Sequence, residues 1–118
     1  MSIQTDLISI LSAQCPRVFP TVAPHGTPTP YVIWQQIGGQ SLRFLDNTPG
    51  DKRNVLMQIN VWATTDKQAL DLANAIEDAL CAAMDKFQAE PQGEPVAAFD
   101  ESDELRGTVQ SFSIWGKR

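Results

Sequence analysis

Residues 54–87, NVLMQINVWATTDKQALDLANAIEDALCAAMDKF, change hydrophobic period halfway along and so predict a strand followed by a helix. Within residues 54–63 the side chains fall into two alternating sets, with Val55, Met57, Ile59 and Val61 on one face and Leu56, Gln58, Asn60 and Trp62 on the other. A period of two in which one set is wholly apolar is typical of a strand that is half-buried.

The second half of this stretch predicts the longest helix of the chain. Thr65-Asp66-Lys67-Gln68 has the form of a capping box, with a hydroxyl at the N-cap and Gln three residues later. Apolar residues then recur every three or four positions up to Phe87. A helix over 66–87 would be about 33 Å long, enough to cross a sheet face.

The strand and the helix together predict how the core is built. We expect Trp62 and Ile76 to meet, or nearly meet, across the interface between sheet and helix, and the Val61 face is the alternative. If Val61 is the residue buried beneath the helix and Trp62 is exposed, Trp62 becomes an assembly anchor instead of a core residue. We expect Trp34 and Trp115 to pack in the core as well, and a contact at an interface between proteins is the alternative for each.

The N-terminal third predicts one helix, a proline-rich segment and a strand. Residues 3–14 form a short amphipathic helix, with Ser2 as N-cap and Pro16 as its end. Five of the eight prolines lie in residues 16–30, which we expect to be extended and irregular, with a short edge strand at 17–19. Residues 31–37, YVIWQQI, are a strand that ends at Gly38-Gly39.

The remaining segments predict a long hairpin and further strands. Residues 38–53 contain a possible strand at 41–45 followed by a dense set of turn residues. A proline- and acid-rich connection over 90–104 includes a short strand at 95–99, and a strand over 108–115 places Phe112 and Ile114 on one side. The order of elements predicts a single α+β domain, 1–118, with an antiparallel or mixed sheet and two helices packed on one face.

Composition limits the classes of function. A chain of 118 residues with 42% hydrophobic residues has the profile of one globular domain. The net charge of −5 disfavours nucleic-acid and anionic membrane surfaces, which need clustered cations. No apolar run approaches the length of a membrane span, and the first residues do not have the pattern of an export signal. We therefore expect a cytoplasmic protein, unless it leaves the cell as part of a larger particle. Cys15 and Cys81 are interpreted as two buried free thiols, with a long-range disulfide as the alternative.

No residue pattern predicts a catalytic, metal or cofactor site. His25, the single histidine, stands in the turn Ala23–Thr27 without an acidic or thiol neighbour in sequence, so an exposed loop residue is the better interpretation. The acidic cluster Asp100, Glu101, Asp103 and Glu104 lacks the spacing and central glycine of a calcium loop. Gly38-Gly39 lacks the residues of a phosphate-binding loop. We therefore predict a protein that is not an enzyme and needs no cofactor.

Two blocks of the sequence resemble a known family. Residues 24–33, PHGTPTPYVI, resemble the segment Pro-x-Gly-x-x-x-Pro-Tyr-Val-Val of small phage tail-completion, or tail-terminator, proteins. Residues 54–80 resemble the same family's strand ending in Val-Trp-Ala, followed by an Ala-rich helix. The resemblance implies a ring, commonly of six subunits, that caps the finished tail tube in the virion, stops its polymerisation and offers a docking surface to the head connector.

The resemblance also implies partners, namely further copies of the chain, the tail tube protein and the head connector or neck protein, which would meet in the host cytoplasm during assembly. A head-to-tail connector protein of the neck is the nearer alternative, and a small metal-dependent hydrolase the more distant one. Tail length in particles that lack the protein is the observation that separates a terminator from these.

Two segments are candidate assembly surfaces. We expect residues 40–53, with Leu42, Arg43 and Phe44, to be mobile in the free subunit and ordered in the assembly. The connection 90–104 carries six acids and no base, whereas Arg106, Lys117 and Arg118 make the C-terminal region basic. Asp103 and Glu104 of one subunit would then face those cations of the next in a head-to-tail contact, and the alternative is two solvated, unrelated patches.

Overall fold

The computed structural model describes residues 3–24, 26–40, 45–46, 50–99 and 105–117. That part of the chain forms two helices and one mixed sheet of six strands, which confirms the α+β fold. The elements are α1 (Ile3–Gln14), β1 (Val18–Pro20), β2 (Tyr31–Gly38), β3 (Lys52–Ala63), α2 (Asp66–Ala82), β4 (Gln88–Pro91), β5 (Val96–Phe99) and β6 (Arg106–Lys117).

The two longest strands, β3 and β6, pair side by side at the centre of the sheet. Their antiparallel register runs without a break from Lys52↔Lys117 to Ala63↔Arg106. β2 lies antiparallel on the other side of β3, and the three-residue β1 pairs parallel with β2. Beyond β6, β4 and β5 pair antiparallel with its two halves, so the strand order is β1-β2-β3-β6 followed by β4 and β5.

One face of this sheet is buried beneath both helices. The predicted apolar set of β3 lies there, together with Phe112 and Ile114 of β6, and all of these side chains are almost fully buried. Leu7 and Leu11 of α1 and Ile76 and Leu80 of α2 complete the same core. Burial of such side chains from water is the main contribution to the stability of a domain of this size.

The prediction that Trp62 meets Ile76 is wrong, because Val61 is the residue on the helix side, and Trp62 is half-buried on the other face instead of exposed. Val61 is 1% exposed on the helix side, whereas Trp62 pairs with Gly107 on the opposite face, where its side chain is half-buried. The alternation in β3 separates two faces correctly, but both contain large apolar residues. Trp34 is the tryptophan that packs against the core from the helix side, and Trp115 lies half-buried on the face of Trp62.

Helix α2 begins as predicted and ends earlier. The Thr65 hydroxyl accepts the Gln68 backbone N–H at 3.1 Å, as a capping box requires. The helix stops at Ala82, and a turn over 84–86 follows. Phe87 is still buried in the core, but it reaches the core from the turn because its backbone N–H bonds to the carbonyl of Ala83. The turn leads into β4, a strand that the sequence did not predict.

The other predicted elements agree with the structure where it describes them. α1 has the predicted bounds, and β6 extends two residues beyond each predicted end because it pairs with β3 along its whole length. The possible strand at 41–45 lies almost wholly outside the described residues, as do residues 47–49 of the following turn. Cys15 is buried, but Cys81 is exposed, so one of the two predicted buried thiols is at the surface. In the described chain no helix is both long and apolar enough to span a membrane.

Two leucines of α2 provide a matched test of this packing. We expect Leu80→Ala to lower the free energy of unfolding by about 2–5 kcal/mol, because Leu80 is fully buried and its loss leaves a cavity. Leu70→Ala, the control on the same helix, removes a side chain that is 45% exposed, and the expected loss is below about 1 kcal/mol. Urea denaturation of both variants measures the difference, and equal losses would contradict the packing described.

Candidate assembly surface

The sheet face opposite the helices, here called the open face, has no helix or strand of the described chain packed on it. Its central side chains come from three strands and are half-buried: Tyr31 and Ile33 of β2, Leu56, Gln58, Asn60 and Trp62 of β3, and Val109, Ser111, Ser113 and Trp115 of β6. None of these carries a charge. The charged residues described on this face lie at its margins, with Lys52 and Lys117 at one end and Glu90 on β4.

A glycine on β6 makes room for the indole of Trp62. A Cβ atom added to Gly107 would lie 2.7 Å from the Cε3 atom of Trp62 and 2.5 Å from the backbone oxygen of Val61. Any larger residue would therefore push the ring away from the sheet. Tyr31 of β2 lies directly opposite Trp62 in the register, so two aromatic side chains stand next to each other at this end of the open face.

A polar cluster fixes the chain that leaves β2. The backbone N–H of Gln40 donates to Oδ1 of Asn54 at 2.9 Å, and Nδ2 of Asn54 donates to Oγ of Ser113 at 2.9 Å and to the carbonyl of Ile114 at 3.3 Å. Gly39 has φ +141, and a Cβ there would collide with the backbone of Asn54. Sequence reasoning interpreted Gly38-Gly39 only as the end of a strand, although a glycine pair is also the signal of a close backbone approach.

A second polar link holds the connection between β4 and β5. Nε2 of Gln110 donates to Oε1 of Glu77 at 2.6 Å and to the carbonyl of Gly93 at 2.9 Å. Gln110 is buried on the helix side of β6, so its amide joins sheet, helix and connection at one point. An unpaired buried amide would lower the stability of the protein. The two hydrogen bonds of Gln110 therefore favour one position of the residues that lead into β5.

The outer edges of the sheet are protected in some places and open in others. β1 ends in Pro20, and the last backbone contact on that side runs from the Thr21 N–H to the Trp34 carbonyl at 2.9 Å. Beyond it, no described strand pairs with the outer side of residues 35–38. At the other margin β4 ends in Pro91, while β5 pairs with β6 and no other strand of the described residues pairs with its outer side. Each open edge carries an exposed branched side chain, Ile37 and Val96.

The residues predicted for the assembly surface are only partly described. Leu42, Arg43, Phe44, Asp103, Glu104 and Arg118 lie outside the described residues. Arg106 and Lys117 lie at opposite ends of β6, so the structure does not bring them together. Arg106 has its Nε atom 3.9 Å from the carboxylate of Asp66, whereas Lys117 is the register partner of Lys52.

Several exposed cations lie near Lys117 at one end of the sheet. Lys52 and Arg53 start β3 beside it, and Lys86 lies with Lys52, Lys117 and the acidic Asp85 around a shallow groove of about 410 Å³. Lys52 and Arg53 were not predicted as site residues, because their proximity to Lys117 depends on the pairing of strands far apart in sequence.

The candidate metal-binding and nucleophilic side chains of the described chain are dispersed. No three of its histidine, cysteine and acidic side chains are close enough together to hold a metal ion. Although Cys81 is exposed as a residue, partial desolvation of its thiol raises the pKa, and the carboxylates of Glu77 and Asp78 raise it further. A raised pKa leaves less thiolate at neutral pH, so Cys81 is a weak nucleophile. His25 lies outside the described residues.

Comparisons with known proteins give one family match and one structural match. The sequence model of a family described as "Tail completion protein gp17" matches residues 4–115. Among solved structures, a chain from the "Virion of native gene transfer agent (GTA) particle" has a similar fold, with a TM-score of 0.67 and 19% sequence identity. The similarity covers 99% of this chain and 96% of that one. No curated protein matches this chain.

Asn54 allows a test of the polar cluster. We expect Asn54→Ala to lower the free energy of unfolding by about 1–3 kcal/mol, since it leaves buried groups unpaired, and to speed hydrogen exchange at the Gln40 amide. Asn60→Ala, on the same strand and face, removes only a half-buried contact with Gln58 and is the control. Unchanged exchange at Gln40 in the Asn54 variant would contradict the described anchor.

Proposed function

The chain belongs to the Tail completion protein gp17 family, and we propose that it forms a ring that caps the tail tube of a long-tailed phage. Membership makes it a structural protein of the phage tail. The observation that carries the proposal is the extent of the match, which includes both helices and nearly the whole sheet. The fold of a chain from a virion particle, matched along almost its full length, supports the same class of role.

The proposed mechanism needs binding and no catalysis. The capping ring binds to the last ring of the tube by mass action. Because it covers that end, no further tube subunit can be added and the tube stops growing. The opposite rim of the capping ring then presents a docking surface to the head connector. The partners are thus further copies of the chain, six in the ring that the family resemblance implies, together with the tube protein and the connector, which meet in the host cytoplasm.

The segment with Leu42, Arg43 and Phe44 belongs to the proposed contact surface. It follows directly on Gly39 and Gln40, which Asn54 ties to the end of the sheet where Lys52 and Lys117 lie. A segment that starts from a fixed anchor loses less conformational freedom on binding than one that starts from a mobile loop. We place this segment at the rim of the ring, against the tube or a neighbouring copy.

Tail length tests the proposed function. In particles assembled without this protein we expect tubes that exceed the normal length, because nothing ends polymerisation, and we expect them to lack heads. Electron microscopy of negatively stained lysates measures both, and expression of the unchanged gene from a plasmid is the control that restores normal tails. Tubes of normal length without heads would instead identify a neck protein, and normal complete particles would exclude both roles.

A further inference from the structure

We propose that the groove at the end of the sheet binds an acidic peptide segment of another virion protein, one that carries an apolar side chain among its carboxylates. The amines of Lys52, Lys86 and Lys117 would contact the carboxylates, and Met84 and Trp115 would contact the apolar side chain. That the partner is a virion protein rests on the proposed tail function, whereas the groove and its charges do not.

The described cations differ in whether they have a partner, and the difference follows their position. Seven of the nine lysines and arginines lie in the described residues. Arg17 donates to two backbone carbonyls, and Lys67 pairs with Asp71. Arg106 has the carboxylate of Asp66 beside it. The other four form no ion pair with a described residue, and all lie at one end of the sheet: Lys52, Arg53, Lys86 and Lys117. A chain with a net charge of −5 thus gathers its unpaired described cations in one place.

Two of these cations repel each other in the sheet itself. Lys52 and Lys117 are direct register partners of β3 and β6, and both are exposed. Like charges directly opposite each other on one face of a sheet are destabilising. An anionic group bound between the two amines removes this repulsion, so the pair is better suited to a complex than to the free chain.

The same groove has an apolar part beside its charges. Met84, on the turn after α2, is 77% exposed, and Trp115 lies half-buried on the same face of β6 as Lys117. Phe87, which is buried in the core, also lines the groove and supports this part from below. Methionine and tryptophan are enriched where proteins meet, and the flexible thioether adapts to different side chains. The occupant of the groove therefore has an apolar group next to its charge.

Two carboxylates at this end of the sheet limit the kind of anion that fits. Asp85 lines the groove together with Lys86, and the buried Asp6 lies with Lys86 and Lys117 in a smaller groove of about 250 Å³. A nucleic-acid backbone, with a phosphate at every step, would meet these carboxylates as well as the amines. A peptide can place its carboxylates at the lysines and a backbone N–H at Asp85. The arrangement of charges thus favours an acidic peptide over nucleic acid.

The opposite end of the sheet lacks this arrangement. There Arg106 is the register partner of Ala63, and its guanidinium lies near Asp66. The two ends of the sheet therefore differ in unpaired charge among the described residues. Electrostatic complementarity of this kind directs a partner to one surface and suppresses binding at others. An acidic segment of the partner would thus determine which end of the subunit faces it.

A peptide titration followed by two-dimensional NMR tests the groove on the isotope-labelled chain. With the acetylated peptide EELEE we expect saturable shifts at the amides of Lys52, Met84 and Lys117 and at the indole N–H of Trp115, while the amide of Lys67 stays in place. Binding should weaken as sodium chloride rises from about 50 to about 500 mM, because salt screens exposed charges. The peptide EEAEE should bind more weakly, because it buries less apolar surface against Met84.

Three variants separate the charges of the groove from the net charge of the chain. Lys52→Gln with Lys117→Gln should weaken binding of EELEE about tenfold, because both charge contacts are lost. Lys52→Arg with Lys117→Arg keeps the charges and should retain binding. Lys67→Glu changes the net charge as much as the glutamine pair does and should bind the peptide like the unchanged chain. Equal thermal unfolding of the variants establishes that they fold alike.

The same variants test the partner in the particle. Supplied from a plasmid to a phage without the natural gene, the glutamine pair should give at least about tenfold fewer complete particles than Lys67→Glu. Normal yields with the glutamine pair would exclude a virion protein as the partner of this groove.

The remaining outcomes separate this site from the capping function. Shifts at Lys67 as large as those at Lys117, or no saturable shifts in the groove, would overturn the site, and the capping function could still stand. If a short DNA duplex shifts the same amides at a lower concentration than the peptide, the groove binds nucleic acid and the peptide proposal is wrong. Normal tails in particles without the protein would exclude the capping function, whatever the titration shows.

Discussion

The unbroken pairing of β3 with β6 is the interaction on which the rest of this structure depends. β2 is held by one of these strands, and β4 and β5 are held by the other. The register also assigns the faces, because a slip by one residue would carry Val61 to the open side and Trp62 under the helices. The core, the open face and both open edges therefore follow from one set of backbone hydrogen bonds.

Local signals predicted much of the fold. The start of α2 can be predicted from Thr65 and the residues of the first helical turn alone. The alternation in β3 can likewise be predicted from the residues of that strand alone. The end of α2 was misplaced because Phe87 has helical spacing, and a turn that brings a side chain into the core produces the same pattern as a further helical turn. β4 was missed because Ala89 is the one buried residue in its short sequence, and its pairing partner lies more than twenty residues away.

The assembly surface was less accessible to sequence reasoning because it depends on strand order. Arg106 and Lys117 are close in sequence, but an extended strand places them at opposite ends of the sheet. Lys52 joins Lys117 only through the β3–β6 pairing. Whether Trp62 lies in the core or on the surface could not be predicted without the position of the helices, because both faces of β3 carry large side chains. The family resemblance supplied the biological role, which no single residue pattern reveals.

The chain order of this sheet has a consequence for how the protein matures. Lys52 pairs with a residue 65 positions later, and the nearest pair in the β3–β6 register, Ala63↔Arg106, spans 43. Such distant contacts give a high contact order and slow folding. β5 has no other partner than β6 among the described strands, so it cannot become ordered before β6 is available to pair with it. The sheet therefore reaches its full width only once residues 106–117 have paired with β3.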